Sequence, residues 1–137
     1  MDPQPKSLHP VLVVDDDRTM RVLLRAFLRA AGHDVELAEG GEEALALLAV
    51  RRPSLVLLDY RMNGMSGPEV LRRMRAEPQM DAVPILMLTG MDLDAQLEAT
   101  LLAGADGYLQ KPVERSSLLA RVEVALQGRS AVATGSP

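Results

Sequence analysis

Asp15, Asp16 and Asp17 stand together directly after the apolar run Val11 to Val14, and Asp59 directly follows the apolar run Leu55 to Leu58. Two further reactive side chains end stretches of the same kind: Thr89 follows Val83 to Leu88, and Lys111 follows Tyr108 to Gln110. Carboxylates packed together repel one another, so a cluster of them demands a compensating cation. An oxygen-only site with few protein ligands and room for water suits Mg²⁺ or Mn²⁺. With such an ion bound, one carboxylate can act as a nucleophile toward a phosphoryl group while the ion neutralises that group's oxygens. A lysine ammonium and a hydroxyl can hold the remaining oxygens, because phosphoryl transfer depends largely on positioning and charge stabilisation. Taken singly, most of these residues have plainer explanations. Asp17, and Asp16 with it, can cap a following helix; Thr89 can be a turn residue and Lys111 a solvated lysine. Asp59 is harder to dismiss, because the four apolar residues before it supply no basic partner. The joint pattern, more than any member, points to chemistry.

Such residues converge only if the runs that precede them are neighbouring strands. Val11 to Val14 and Leu55 to Leu58 are apolar throughout, as strands buried on both faces should be. Val35 and Leu37 alternate with polar neighbours, which predicts a half-exposed edge strand. Val83 to Leu88 and the short Tyr108 to Gln110 complete five strands. Between them apolar residues recur at helical spacing: Met20, Leu23, Leu24, Phe27, Leu28 and Ala31 before Gly32, then helices over about 42–51, 67–76, 92–103 (Leu93, Leu97, Leu101) and 114–127. Alternation of this kind predicts an α/β fold, a doubly wound (βα)5 flavodoxin-like sandwich. The expected sheet is parallel and five-stranded, in the order 2-1-3-4-5. All C-terminal strand ends then share one rim, where ligands bind at the crevice between strands 1 and 3.

Composition bounds the alternatives. The 137 residues fit one domain: a flexible lead-in over 1–9, the folded unit over 10–127 and a flexible tail over 128–137. There are no cysteines, which excludes disulfides and thiolate zinc sites. The net charge of −4 and a shortage of aromatics (Phe27, Tyr60, Tyr108) argue against direct nucleic-acid binding by this chain. No apolar stretch approaches the ~20 residues of a membrane span, and residues 1–10 lack the apolar core of a secretory signal. A cytoplasmic protein without membrane contact is the expectation.

The segments VLVVDDD, LVLLDYRMNGMSG, ILMLTG and GADGYLQKP resemble, in order and interval, the CheY-like receiver domains of two-component response regulators. The resemblance covers about 10–127 and rests on four separated motifs, a specific signal. It implies a signalling phosphoprotein that forms an aspartyl phosphate on Asp59. Asp16 and Asp59 would be metal ligands, with Asp15 acting directly or through water and the Arg61 backbone carbonyl supplying a further oxygen to Mg²⁺ or Mn²⁺. Lys111 would bind the phosphoryl oxygen, and Pro112 stands where a cis peptide is common. Thr89 and Tyr108 would be the switch pair that reshapes the helix 4–strand 5–helix 5 surface. A domain of this kind is not an enzyme toward separate substrates; it catalyses only its own phosphorylation and dephosphorylation. Its implied partners are a sensor histidine kinase or histidine phosphotransfer protein and a downstream target or effector domain, the chain being either stand-alone or part of a longer regulator. Departures from the pattern are Asn63 where the loop M-P-x-M-x-G has proline, Ser66 where Asp is common, and Val113 where an aromatic follows Lys-Pro. The last departure argues against the family's usual dimer, leaving a monomer or weak dimer.

Arg18, Arg21, Arg25 and Arg29 predict a basic stripe opposite the apolar side of helix 1, either a solvated face or a docking surface for the phosphodonor. Arg61 and Met91 flank the acceptor, and a bulky Met91 is expected to hinder attacking water. Three competing functions remain. A phosphorylation-independent pseudo-receiver acting as a protein-binding module is kept open by the missing loop proline. A phosphatase with an aspartyl nucleophile would need a second Asp two residues after Asp59, where Arg61 stands. A flavin protein would need a phosphate loop where Asp15 to Asp17 would repel the phosphate.

Overall fold

The structure, a computed structural model, describes residues 9–90, 92 and 94–133. Met91, Leu93 and nearly all of the lead-in expected over 1–9 lie outside the described residues. The chain order is β1 (Val11–Val14), α1 (Arg18–Ala30), β2 (Val35–Ala38), α2 (Gly41–Val50), β3 (Leu55–Asp59), α3 (Gly67–Arg75), β4 (Ile85–Thr89), α4 (Ala95–Leu102), β5 (Gly107–Gln110) and α5 (Arg115–Ala133). A single 3-10 turn, Pro78–Met80, precedes β4 and was not expected from periodicity. The helix α5 runs past residue 127 to Ala133, so the segment read as the start of the tail is helical, and 134–137 lie outside the described residues.

All strand pairs are parallel and the order is β2-β1-β3-β4-β5, as the alternating pattern predicts. Strand residues point alternately to opposite faces, so each central strand feeds two cores. Leu12, Val14, Val56, Leu58, Ile85 and Met87 pack with Val70, Leu71 and Met74 of α3 and Leu97 of α4. Val11, Val13, Leu55, Leu57, Leu86 and Leu88 pack with Leu24 and Leu28 of α1 and Leu118 and Val122 of α5. Every residue of β1, β3 and β4 is buried, whereas β2, at the edge, is half-buried over Val35 to Leu37.

Local signals set the helix ends. Asp17 caps α1 through its Oδ1, which accepts the Thr19 N–H at 3.1 Å, and Gly32 ends the following turn at φ 95°. Ser66 caps α3 by accepting the Glu69 N–H, so the absent Asp there costs no cap. One part of the helix-1 pattern differs from the expectation. Leu24 and Leu28 are buried, but Leu23 and Ala31 are exposed and Arg21 is buried. At 100° per residue Arg21 lies about 40° from the midpoint of Leu24 and Leu28, and Leu23 about 120° from it. The buried arc is therefore centred one step away from the apolar set, and Arg21 leaves the basic stripe.

A clamp on the far side of the sheet joins α3 to the turn before β5. The Arg75 guanidinium donates to the carbonyls of Gly104 (3.0 Å) and Met80 (2.9 Å) and pairs with Asp106 Oδ2 at 3.2 Å. The same carboxylate oxygen accepts the Ile85 N–H at 2.8 Å. Gly104 has φ 130°, and a Cβ there would press on the Arg75 side chain. Arg75→Ala would remove a charged donor from two carbonyls and the ion pair from Asp106. It is expected to lower unfolding stability by about 2 kcal/mol, seen as a lower urea midpoint with an unchanged slope; an unchanged midpoint refutes the clamp.

Candidate functional site

The sheet register assembles the rim. Val14 pairs with Leu58, which sets Asp15 beside Asp59 at the ends of the two central strands. Asp59 pairs with Leu88 and Thr89 with Gln110, so Thr89 and Lys111 reach the same C-terminal rim at the ends of the next two strands. The Lys111 N–H extends this ladder by donating to the Thr89 carbonyl at 2.7 Å, and its bond to Pro112 is cis. Glycine is required behind the site. A Cβ added to Gly67 would overlap the Asp59 carbonyl oxygen, and the Gly67 N–H donates to the Tyr60 carbonyl at 3.1 Å.

Asp15 is fully buried and Asp59 nearly so, while Asp16 is exposed. The Lys111 ammonium lies 3.0 Å from Asp15 Oδ2 and donates to Asp59 Oδ1 at 3.1 Å. Asp15 Oδ1 accepts the Asp17 N–H at 2.9 Å. Its Oδ2 is sealed from solvent, and among the described residues no donor meets it with hydrogen-bond geometry. The ion pair with Lys111 is thus close but poorly directed. Burial and the adjacent Asp15 carboxylate push the Asp59 carboxyl up to about 6, against which Lys111 pulls only in part. Burial alone would lower the Lys111 ammonium, but its close contact with Asp15 and the charges of the two carboxylates hold it above the ordinary lysine range. One carboxylate oxygen from each of Asp15, Asp16 and Asp59 falls within 4.8 Å of the others. Three hard oxygens, together with a buried Asp15 atom short of donors, fit a divalent cation such as Mg²⁺ or Mn²⁺.

Two supports escaped the sequence pattern. Arg21 turns inward and donates from Nη1 to the Asp15 carbonyl at 2.8 Å, while Nη2 pairs with Glu39 at 3.5 Å. This anchors the peptide carrying Asp15 to α1 and to the end of β2. A helical-wheel count centred on Leu24 and Leu28 would have found it. The second is the Asn63 backbone N–H, which donates to Asp16 Oδ2 at 3.1 Å. The missing loop proline was its signal, since proline has no such donor.

The remaining expected residues fall where the fold must put them. Thr89 is buried at the end of β4. Tyr108, on β5 opposite Met87, is half-buried against the core layer of α2, α3 and α4. Arg61 is exposed in the loop after β3, two residues from Asp59. The Met91 expectation lies outside the described residues.

Comparison with known proteins agrees with this geometry. Residues 11–123 match the family model described as the response regulator receiver domain. The chain is 47% identical over 120 residues to the response regulator MprA of a Mycobacterium species (strain KMS), a match covering 88% of this chain and 51% of the relative. It therefore spans about half the length of that relative. Among solved structures, the chemotaxis protein CheY4 of Vibrio cholerae superposes with a TM-score of 0.82 at 33% identity, covering 87% of this chain and 99% of that one. A response regulator from Chloroflexus aurantiacus gives 0.82 at 38% identity, covering 87% and 98%. A motif-bearing rim, a 2-1-3-4-5 sheet and these likenesses together make the chain a member of the receiver domains of two-component response regulators.

Proposed function

We propose that the chain accepts a phosphoryl group on Asp59 from a sensor histidine kinase or histidine phosphotransfer protein, and passes the signal on as a change of shape. The observation that carries this reading is a nearly buried carboxylate bracketed by the Lys111 ammonium and two further carboxylates. An Asp59 oxygen attacks the phosphorus of a phosphohistidine in line. The O–P bond forms as the P–N bond breaks, the imidazole nitrogen keeps the electron pair, and an acyl phosphate results. Lys111, whose ammonium donates to Asp59, holds one phosphoryl oxygen, and the Thr89 hydroxyl at the end of β4 holds another. A divalent ion held by Asp15, Asp16, Asp59 and the Arg61 carbonyl neutralises the phosphoryl oxygens when bound. Water attack on the same phosphorus releases phosphate and restores the carboxylate, so the domain catalyses only its own loading and unloading. Drawing Lys111 and Thr89 toward the phosphate lets Tyr108 turn inward and reshapes the surface of α4, β5 and α5. A downstream protein, or an effector segment of the kind that longer relatives have room for, reads that surface.

The donor's place is α1. Val22 and Leu23 are exposed on this helix beside Arg18, Thr19 and Ala26, forming an apolar strip one turn from the acidic rim. Arg21 is not part of it, because its guanidinium is committed to Asp15. An apolar strip flanked by Arg18 and Arg25 suits a partner helix with apolar and acidic residues.

Three outcomes are expected. Intact mass after incubation with Mg²⁺ and acetyl phosphate should show one phosphoryl adduct on the wild-type protein and none on Asp59→Asn. Absence of the adduct from a folded wild type, with a phosphohistidine donor also failing, would leave the binding-module alternative. In metal-free buffer, Asp59→Asn should also raise stability. The folded carboxyl titrates near 6 against 3.8 for the free group, so above pH 6 folding carries an ionised carboxylate it disfavours. The gain is about 2–3 kcal/mol at neutral pH, the pull of Lys111 being already included in the raised value, and urea melts showing no gain contradict the charge balance described. Finally, Val22→Glu with Leu23→Glu should slow transfer from the phosphorylated partner roughly ten-fold and leave acetyl phosphate loading intact; equal transfer rates would remove α1 as the docking face.

A further inference from the structure

Asp16 differs from the other two carboxylates of the cluster. Asp15 and Asp59 are packed in place by the strand ends and by Lys111, but Asp16 is exposed, and Lys111 pairs with the other two acids. Mutual repulsion within the cluster favours rotation of an exposed carboxylate into water. The contact opposing that rotation comes from a different loop: the Asn63 N–H, 47 residues away in sequence, donates to Asp16 Oδ2 at 3.1 Å. Both flanks of this donor are shaped to hold it. Gly64 follows in the left-handed region at φ 78°, which turns the loop back on itself, and Gly67 seats the loop's end on the Tyr60 carbonyl. The Asn63 side chain is exposed, so the backbone carries the contact. A proline at this position, as in the loop pattern M-P-x-M-x-G, would have no hydrogen to donate.

We infer that the Asn63 peptide N–H is a positioning group for Asp16, holding its carboxylate in the acidic cluster so that the cation site is preformed rather than assembled on binding. The amide engages one oxygen of the carboxylate while the group keeps an oxygen within 4.8 Å of those of Asp15 and Asp59. The same bond ties the loop after β3 to the loop after β1. Closure of the rim and readiness for the cation are therefore one event. The inference rests on the reading of Asp16 as a metal ligand and adds to it a donor that the proline-bearing pattern lacks.

The test uses the full chain and Mn²⁺ or Mg²⁺ alone, with no phosphodonor. Calorimetric titration should show Asn63→Pro binding the ion roughly ten-fold more weakly than wild type, the loss of one hydrogen bond to a charged group. Asn63→Ala, which keeps the N–H, should restore wild-type affinity. Amide hydrogen exchange supplies an independent readout, since the Asn63 amide should lose protection in metal-free Asp16→Ala while the strand amides keep theirs. Equal affinity of Asn63→Pro and wild type, or an Asn63 amide unprotected in the wild type, overturns the inference and leaves the metal site standing. Failure of the wild type to bind either ion overturns both. A Pro variant with strand amides as protected as wild type shows that weaker binding is not a loss of fold.

Discussion

A single ammonium lies between two carboxylates that the fold gives no room to separate. Adjacent strands in a sheet lie about 4.8 Å apart, and the register puts Asp15 and Asp59 at matching positions on two neighbours. Their repulsion is set by backbone pairing, which side-chain rotation relieves little in a buried site. The compensating charge cannot come from β4, which lies between, because a cation there would fill the space in front of Asp59. It comes from β5, about 10 Å across the sheet, a span that suits a long lysine side chain. The identity of each rim residue thus follows from its distance to the acidic pair.

This explains why so much is legible in the sequence. The strands could be read because β1, β3 and β4 are buried on both faces and contain almost nothing polar until their last residue. Strand order followed from the alternation of strands with helices and from right-handed crossovers, the alternation of Val35 and Leu37 matched the edge, and the site followed from strand order. Arg21 was misplaced because a charged residue was assumed to lie opposite the apolar set, when its guanidinium finds a buried carbonyl and a carboxylate to satisfy it. Leu23 was misplaced by the same shift of the wheel. The Arg75 clamp joins residues 29 and 31 positions apart through backbone carbonyls and one carboxylate, and no periodicity encodes that. Helix ends were legible to within a few residues where a capping side chain marked them, as Asp17 and Ser66 do, and poorly at α5, where residues 128–133 are small and weakly patterned.

The supports around the rim come from the first turns of two helices and from one loop. Arg21 holds the peptide of Asp15 from α1, Gly67 lets α3 start against the peptide of Asp59, and Asn63 reaches the exposed acid. None of these contacts is made by a side chain that would itself react. Similar structures at 33% and 38% identity keep the same fold over almost the whole of their chains. The rim is therefore built on a scaffold tolerant of wide replacement.

The alternation of the central strands has a practical consequence for watching such a domain at work. Leu57 and Leu58 are adjacent in the chain, yet one packs with α1 and α5 and the other with the helices of the opposite layer. The same holds for Leu86 and Met87 on β4. Isotope-labelled methyl groups at these neighbouring positions would report separately on the two sides of one sheet. A resonance shift at Leu57 without one at Leu58 would localise a disturbance to the α1 side, so the protein carries, in consecutive residues, its own pair of spectroscopic probes for distinguishing events at its two faces.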